Sequence, residues 1–372
     1  MKVAWLTFHN AINYGAALQT YASQQALMSM GINCEIIDYV NEYRGNAYNM
    51  LSHAKKEFKD RKFISSAKYI AGGIFMGRRK QKFIKFYNNN IITTKKRFTC
   101  SKEIQEINDK FDKFIVGSDQ VWNYRNNGGD FTFLLDFVSD NNKKISYSSS
   151  FGLSEIPSEL VEKYRLNLKG IKKLSTRESY GVELIKNLAG REAELVLDPV
   201  FLLSKNQWLA LCNNRAKKRK YVFAYTNKSG QWEDFLSKTR YTMDNMRIHK
   251  ITRYLSIKDF LNPQVKNSYS ISPIEFIETI ANSELVVSAS FHCIAMAIIL
   301  NVQFVAILTG DKGKDERILN ILRITGLEQR ILHEGMTSQD VCEKIDYNKV
   351  QTKLSEYISK SYKFLEEAIY SK

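Results

Sequence analysis

Residues 283–305, SELVVSASFHCIAMAIILNVQFV, contain two short apolar runs rich in β-branched residues on either side of a longer apolar stretch. This spacing predicts a strand, a helix and a second strand, the unit of parallel sheets that are covered by helices on both faces. His292 falls where the first strand ends and the helix begins, and ligands of open parallel sheets bind beyond such strand ends. The stretch therefore predicts both a fold class and a candidate functional residue.

The same alternation of β-branched runs and amphipathic stretches continues along the chain, for example in KVAWLTF, CEIIDYV, KFIVG, ELVLDP and YVFAYT. A chain of 372 residues favours two domains, since one domain usually holds about 100 to 200 residues. We predict an α/β protein with domains at 1–214 and 215–349, joined through the polar residues 213–220. The apolar stripe within 350–372 predicts a last helix that packs back on the N-terminal domain.

Most of the positive charge lies in one segment. The formal net charge is +16, and residues 51–100 contain 14 Lys and Arg against two acids, Glu57 and Asp60. Aromatic residues and Ile are interleaved with these cations, and AGG at 71–73 indicates a break between two helical arms. The pattern predicts a basic helical hairpin inserted in the first domain. It suits a surface of anionic lipids, where we expect contacts from Arg78, Arg79, Lys80 and Lys82.

Two other interpretations of this basic segment remain. A solvated pair of helices packed by its aromatic residues would have the same pattern. A nucleic-acid surface is disfavoured, because no helix-turn-helix, RNP-like or zinc signature accompanies the charge.

The remaining composition restricts the class of protein. No apolar run is long enough to span a bilayer, and the N-terminal MKVAWLTFH lacks the apolar core and cleavage site of a signal peptide. Five scattered cysteines without a Cys-x-x-Cys spacing disfavour a disulfide framework and a zinc site. We therefore expect a cytoplasmic protein without a metal, peripheral on the inner face of the cell membrane.

Polar residues follow two more of the predicted strands. HNAINYGAALQ places a glycine at the start of a helix, whose free N–H groups can bind an anion or a sugar hydroxyl. GSDQVWN combines a serine, an acid, two amides and an indole, which suits a sugar, although an N-cap at Ser118 or Asp119 is the alternative. Asp119 could accept a hydroxyl proton. The expected acceptor-binding residues are Asn13, Tyr14, Gly15, Ser118, Asp119, Gln120, Trp122 and Asn123.

Three blocks resemble, in this order, the polysaccharide pyruvyl transferase family: VGSDQVWN at 116–123, STRESYGVELIKNLAGREAELVLDP at 175–199 and VVSASFHCIAMAIILNVQFVAI at 286–307. The resemblance implies two Rossmann-like domains that face a cleft, the GT-B arrangement. It also implies transfer of pyruvate from phosphoenolpyruvate, without a cofactor, to a hydroxyl pair of a sugar, forming a ketal in surface polysaccharide synthesis. The basic segment suggests that the acceptor is attached to a polyprenyl diphosphate lipid.

The resemblance also implies roles for the residues at the third block. Ser290 suits an N-cap, which places His292 in the first turn of the helix. The helix dipole there disfavours imidazolium and favours an adjacent anion, and phosphoenolpyruvate offers a phosphate and a carboxylate. We expect Ser290 and His292 to bind the donor and His292 to be catalytic.

Two arginines correspond to recurring positions of the family. Arg177 follows a predicted strand and Arg317 opens a predicted helix, and their planar donor forks suit phosphate. Glu178 could act as an acid or position Arg177, and a surface ion pair of these two residues is the structural alternative. Together with Asp119 and His292, Glu178 completes the expected catalytic set. Asp198 and Pro199 are expected to end a strand and shape the crossing between domains.

Two other functions fit the same fold, because a fold does not decide function. One is a GT-B glycosyltransferase that uses a nucleotide sugar, and the other is a noncatalytic, membrane-associated assembly protein. Release of phosphate, release of a nucleoside diphosphate, or binding without turnover would separate the three.

Overall fold

A computed structural model describes residues 1–46, 63–153, 155–212, 221–226, 230–241, 246–251, 259 and 261–371. The strands in these ranges are β1 Lys2–Leu6, β2 Asn33–Ile36, β3 Lys113–Val116, β4 Lys144–Ser146, β5 Ser175–Thr176, β6 Glu194–Leu195, β7 Tyr221–Tyr225, β8 Arg247–Ile251, β9 Val265–Ser268, β10 Leu285–Ser288 and β11 Gln303–Ala306.

The α-helices in the same ranges alternate with these strands. They are α1 Tyr14–Ser29, α2 Glu42–Asn46, α3 Phe63–Asn90, α4 Ser101–Ile104, α5 Tyr124–Asn127, α6 Ser158–Gly170, α7 Ser179–Ala189, α8 Lys205–Leu211, α9 Gln231–Thr239, α10 Pro273–Asn282, α11 Phe291–Leu300, α12 Lys312–Thr325, α13 Ser338–Cys342 and α14 Tyr347–Tyr370.

The first sheet is parallel and has the strand order β2-β1-β3-β4. Its central strand β3 is buried along its whole length, as expected for KFIV between two helical layers. The short pair β5-β6 extends this sheet, because the bridges Ile145–Lys173 and Ser149–Thr176 join it to the β4 side. We call β1–β6 with their helices the N-terminal unit.

The second sheet is also parallel and has the order β11-β10-β7-β8-β9. Its β10, α11 and β11 are the strand, helix and strand predicted from residues 283–305. Every residue of α11 is buried, because this helix contacts its own sheet and also α1 of the N-terminal unit. A helix that is apolar on all sides requires such complete burial. We call β7–β11 with their helices the C-terminal unit.

The two units pack against each other beside a cleft, so the predicted fold class is confirmed. The ring of Tyr14 stacks on Phe276 of α10 with centroids 4.4 Å apart. Helix α14 contacts the N-terminal unit, where Ser361 Oγ accepts the Leu197 amide at 3.0 Å and the Tyr362 hydroxyl donates to the Leu202 carbonyl at 2.8 Å.

One prediction about the basic segment is wrong. The backbone of α3 is helical from residue 63 to residue 90, so it passes through 71–73 without a break. Each glycine costs a helix only about 1 kcal/mol relative to alanine, which cooperative helix formation on both sides can outweigh. Residues 51–62, where the other arm was expected, and the predicted linker 213–220 lie outside the described residues.

Candidate active site

A cavity of about 320 Å³ lies between the two units. Its walls come from the segments that follow β1, β3 and β10 and from α12, and strand ends of this kind form ligand crevices in parallel sheets. The cavity brings together Asn13, Tyr14, Gly15, Asp119, Gln120, Ser290, His292 and Arg317.

The N-terminus of α1 forms one wall of the cavity. Asn13 caps this helix, and its side chain accepts a hydrogen bond from the Ala16 amide at 3.1 Å. Gly15 contacts the His292 ring so closely that a Cβ atom built on it would lie 2.2 Å from Nδ1. Only glycine leaves room for the imidazole here, so a side chain contributed by the C-terminal unit rests on the backbone of the N-terminal unit.

His292 occupies the position that its sequence predicts. Ser290 is the N-cap of α11, with an extended backbone but no hydrogen bond from its side chain to the helix, and His292 is the second helical residue. The imidazole is buried, and its Nε2 lies 3.5 Å from Oδ2 of Asp198. The imidazole, which can act as an acid or as a base, therefore lies in the first turn of a helix. The free N–H groups of that turn can bind an anion.

Asp198 is the central acceptor behind this ring. Its Oδ2 accepts from Arg177 Nη1 at 2.5 Å and from Ser118 Oγ at 2.7 Å, and its Oδ1 accepts from the Val200 amide at 3.2 Å. Burial opposes ionisation, but the neighbouring His292 and Arg177 hold the pKa of the Asp198 carboxyl well below its ordinary value. The carboxylate is therefore ionised at neutral pH.

Two arginines flank the ring of Phe291, and of these Arg317 lines the cavity whereas Arg177 is buried and is not among the lining residues. The guanidinium carbons of Arg177 and Arg317 lie 5.4 and 5.8 Å from its centroid. Arg177 is surrounded by carboxylates. Besides Asp198, its guanidinium contacts Asp119 at 3.4 Å and Glu178 at 3.7 Å. Nε of Arg317 has no hydrogen-bond partner among the described residues. Burial, with the charge of Arg177, lowers the pKa of Arg317 to about 10, so it stays cationic and available to an anion.

The two other predicted catalytic acids have different environments. Burial tends to raise the pKa of Asp119, but Arg177, His292 and Arg317 outweigh it and lower that pKa, so this carboxylate is ionised at the cavity wall. Burial raises the pKa of Glu178, against the opposing charge of Arg177. Glu178 lies beside Arg177 and not among the residues that line the cavity. Its position fits support of Arg177 better than contact with substrate.

The family model of polysaccharide pyruvyl transferases matches residues 13–311, which include each of these site residues except Arg317. The chain belongs to this family. Membership makes the protein a transferase of polysaccharide biosynthesis. Arg317 lies just beyond the match, yet the fold places it on the same cavity as His292. No curated protein matches the sequence.

Solved structures resemble this family member in fold. The UDP-GlcNAc 2-epimerase from Neisseria meningitidis bound to UDP-GlcNAc aligns over 98% of this chain and 94% of its own, at 12% identity and a TM-score of 0.50. The glycosyltransferase SnogD from Streptomyces nogalater aligns over 99% of both chains, at 11% identity and a TM-score of 0.46. At such identities the first likeness shows the fold alone.

Three residues predicted to bind the acceptor lie elsewhere. Trp122 is core, since its indole is buried and Nε1 donates to the Phe133 carbonyl at 2.9 Å. Asn123 is buried and caps α5. Ser118 is buried beneath the cavity on Asp198. The turn after β3 aims only Asp119 and Gln120 at the cavity, because burial of the neighbouring side chains fixes its orientation.

Two of the four predicted membrane-binding cations also have other partners. Arg79 is buried, with its guanidinium 5.3 Å from the Tyr14 ring, so its assignment to a membrane surface is wrong. Lys82 forms an ion pair with Glu275 of α10 at 2.7 Å and thus joins the two units. Helix α3 turns one side to the protein, and Arg78 and Lys80 are on the exposed side.

Sequence reasoning missed Asp198, which contacts three site residues. Its only signal was its place in the LDP block, at the end of a predicted strand. The described residues contain no group of three or more His, Cys, Asp and Glu side chains placed to hold a metal ion. No helix in the described part of the chain is long and apolar enough to cross a bilayer.

Proposed function

We propose that the protein transfers the pyruvyl group of phosphoenolpyruvate to two neighbouring hydroxyl groups of a sugar, in synthesis of a capsule or another surface polysaccharide. Two C–O bonds form at the central carbon of the donor, and the bond from that carbon to the phosphate oxygen breaks. One hydroxyl proton ends on the methylene carbon, which becomes a methyl group, and the other leaves with phosphate. The observation that carries the proposal is that His292 and Arg317 line the same cavity of a family member.

The charges at the cavity suit this donor. Phosphoenolpyruvate carries a phosphate and a carboxylate, and Arg317 and the first turn of α11 offer donors to such groups. Arg177 is engaged by Asp198 and Asp119, so it adds a fixed positive charge. Oriented charges of this kind stabilise the charge that develops when phosphate leaves.

The acid and base chemistry falls to residues that line the cavity. The imidazole of His292 can serve as a proton donor or acceptor, while Asp119 remains a carboxylate. Asp119 can therefore stabilise the oxocarbenium-like centre that forms when the methylene carbon is protonated. Asn13 and Gln120 offer amide groups to the sugar hydroxyls.

We also assign the acceptor to a polyprenyl-diphosphate-linked sugar at the cytoplasmic face of the membrane. The support is the basic segment, of which Arg78 and Lys80 are exposed on α3. Each cation near an anionic surface contributes about 1 kcal/mol. Vesicles of anionic and of neutral lipid test the assignment, and the matched control neutralises two exposed lysines on α14, Lys349 and Lys360.

The deciding experiment supplies phosphoenolpyruvate with a panel of lipid-linked and soluble oligosaccharides. Phosphate release together with a mass gain of one pyruvyl group on the sugar is the expected result. Release of a nucleoside diphosphate from a supplied nucleotide sugar would instead establish a glycosyltransferase. Binding of both substrates without turnover would indicate an assembly protein.

A matched pair of variants links the result to the site. Arg317→Ala removes a cation whose Nε has no hydrogen-bond partner among the described residues, whereas Arg323→Ala removes an exposed arginine of the same helix that pairs with Glu316. We expect only the first variant to lose affinity for phosphoenolpyruvate. Equal behaviour of the two would contradict donor binding at Arg317.

A further inference from the structure

The imidazole of His292 is held between the two units. Its Nε2 is buried, lies 3.5 Å from Oδ2 of Asp198 and has no hydrogen-bond partner among the described residues. Its Nδ1 is on the side of the ring that faces Gly15, which lines the cavity together with His292. The two nitrogens are therefore in different environments: Nε2 lies near a buried carboxylate, and Nδ1 lies against the backbone of Gly15 at the cavity wall.

Asp198 is built to remain in place and ionised. It caps the 3-10 turn Pro199–Leu202, where its Oδ1 accepts the Val200 amide. Arg177 and Ser118 fix its other oxygen. Arg177 and Ser118 belong to the N-terminal unit, while His292 belongs to the C-terminal unit. A distance of 3.5 Å is long for a hydrogen bond, and an approach of about 0.7 Å would make an ordinary one.

We propose that Asp198 is a positioning residue that holds His292 as the tautomer with its hydrogen on Nε2, so that Nδ1 exchanges protons with substrate. This assignment rests on the proposed function. As imidazolium, the ring donates its Nδ1 proton to the methylene carbon of phosphoenolpyruvate. The neutral ring then accepts, at the same atom, the proton of the attacking hydroxyl. Asp198 stays ionised throughout and does not touch substrate.

The arrangement resolves a conflict at this helix end. The dipole at the N-terminus of α11 disfavours a cationic ring, whereas proton donation requires one. The carboxylate of Asp198 favours the cation from the opposite side. Three other charged groups lie near the ring. Asp119 follows β3, Arg177 follows β5, and Arg317 is on α12. Because catalytic hydrogen bonds often tighten only when substrate is bound, closure of the two units would complete the contact.

The test is ¹⁵N NMR of the full-length protein labelled in its histidines. The variant His292→Gln assigns the His292 resonances. The expected result is a neutral ring with its hydrogen on Nε2 in the unmodified protein, at a pH where the ring is uncharged. A hydrogen on Nδ1 would overturn the proposal, and this measurement requires no change at Asp198.

Variants then connect the tautomer with turnover. Asp198→Asn should yield a mixture of tautomers, because an amide can donate to Nε2 as well as accept from it. We expect kcat to fall by about 100- to 10,000-fold, with little change in KM for phosphoenolpyruvate. The alkaline limb of the pH–rate profile should move to lower pH, because the ring must be imidazolium to donate the first proton and the amide does not favour that form. An unchanged tautomer and profile in a folded Asp198→Asn protein would overturn the proposal.

The chain offers a control in a second histidine–aspartate pair, which is partly buried. His9 Nε2 lies 2.9 Å from Oδ1 of Asp38, and neither residue lines the cavity. Asp38→Asn should leave the His292 resonances and the pH–rate profile unchanged, and a similar loss in both variants would overturn a specific role for Asp198. If the expected tautomer is found but phosphoenolpyruvate is never turned over, the proposed function fails and the contact between Asp198 and His292 stands.

Discussion

Replacing Gly15 with alanine tests whether the close packing of the His292 ring against Gly15 controls turnover. A Cβ atom at this position would lie 2.2 Å from Nδ1 and 2.7 Å from both Cε1 and Cγ of His292. Non-bonded heavy atoms normally stay about 3.5 Å apart, so the ring or α1 must retreat by about 1 Å. Gly15 has an ordinary backbone conformation, so the conflict is one of space and not of backbone strain.

The expected magnitude follows from that displacement. A shift of about 1 Å in a catalytic group can cost about 100-fold in rate. Forcing an extra methyl group into a packed site should also lower the free energy of unfolding by about 1 to 3 kcal/mol. We therefore expect kcat, measured as phosphate release from phosphoenolpyruvate with acceptor present, to fall by about two orders of magnitude in a folded protein.

A control variant and a double-mutant cycle test whether the contact with His292 causes the loss of turnover and stability. Gly77→Ala adds a methyl group on α3 where no atom lies within 4 Å, so it should leave kcat unchanged. In a His292→Ala background the obstacle is gone, so Gly15→Ala should no longer reduce the free energy of unfolding, as denaturant titration would measure. Normal turnover by Gly15→Ala, or equal destabilisation in both backgrounds, would refute the reasoning.

Three further changes probe the same assignments. His292→Gln should lower kcat by about 100- to 10,000-fold with the circular dichroism unchanged, and a fully active, folded variant would make His292 structural. Arg177→Ala and Arg317→Ala should weaken phosphoenolpyruvate binding more than acceptor binding, by about 10- to 150-fold for Arg317, and calorimetry showing the opposite order would place them on the acceptor side. Neutralising Arg78 and Lys80 together should reduce partitioning onto anionic vesicles by about 30-fold at low salt, and equal partitioning would remove the membrane assignment.

The sequence was informative where local rules suffice. Asn13, Asp119 and His292 were selected because each follows a predicted strand, and the carboxyl ends of parallel strands converge on one crevice. All three line the cavity. The position of His292 in the first turn of its helix also followed from the expectation that Ser290 is the N-cap, although the Ser290 side chain makes no capping hydrogen bond.

Other features depend on packing between distant segments. Trp122 and Arg79 have side chains that suit a surface as well as a core, and only the tertiary fold buries them. For Asp198 the sequence predicted only the end of a strand, because its partner His292 comes from the other unit and the contact depends on how the two units pack. The predicted helix break at 71–73 is wrong because glycine reduces helix stability without forbidding a helix.

The contact between Arg79 and Tyr14 connects the outside of the protein with its interior. Lys80 is exposed on α3, and the next residue toward the N-terminus, Arg79, rests on the ring of Tyr14 in the cavity wall. A helix is about 10 Å across with its side chains. Whatever contacts the outer side of α3 at Lys80 is therefore separated from the cavity wall by little more than the width of this helix.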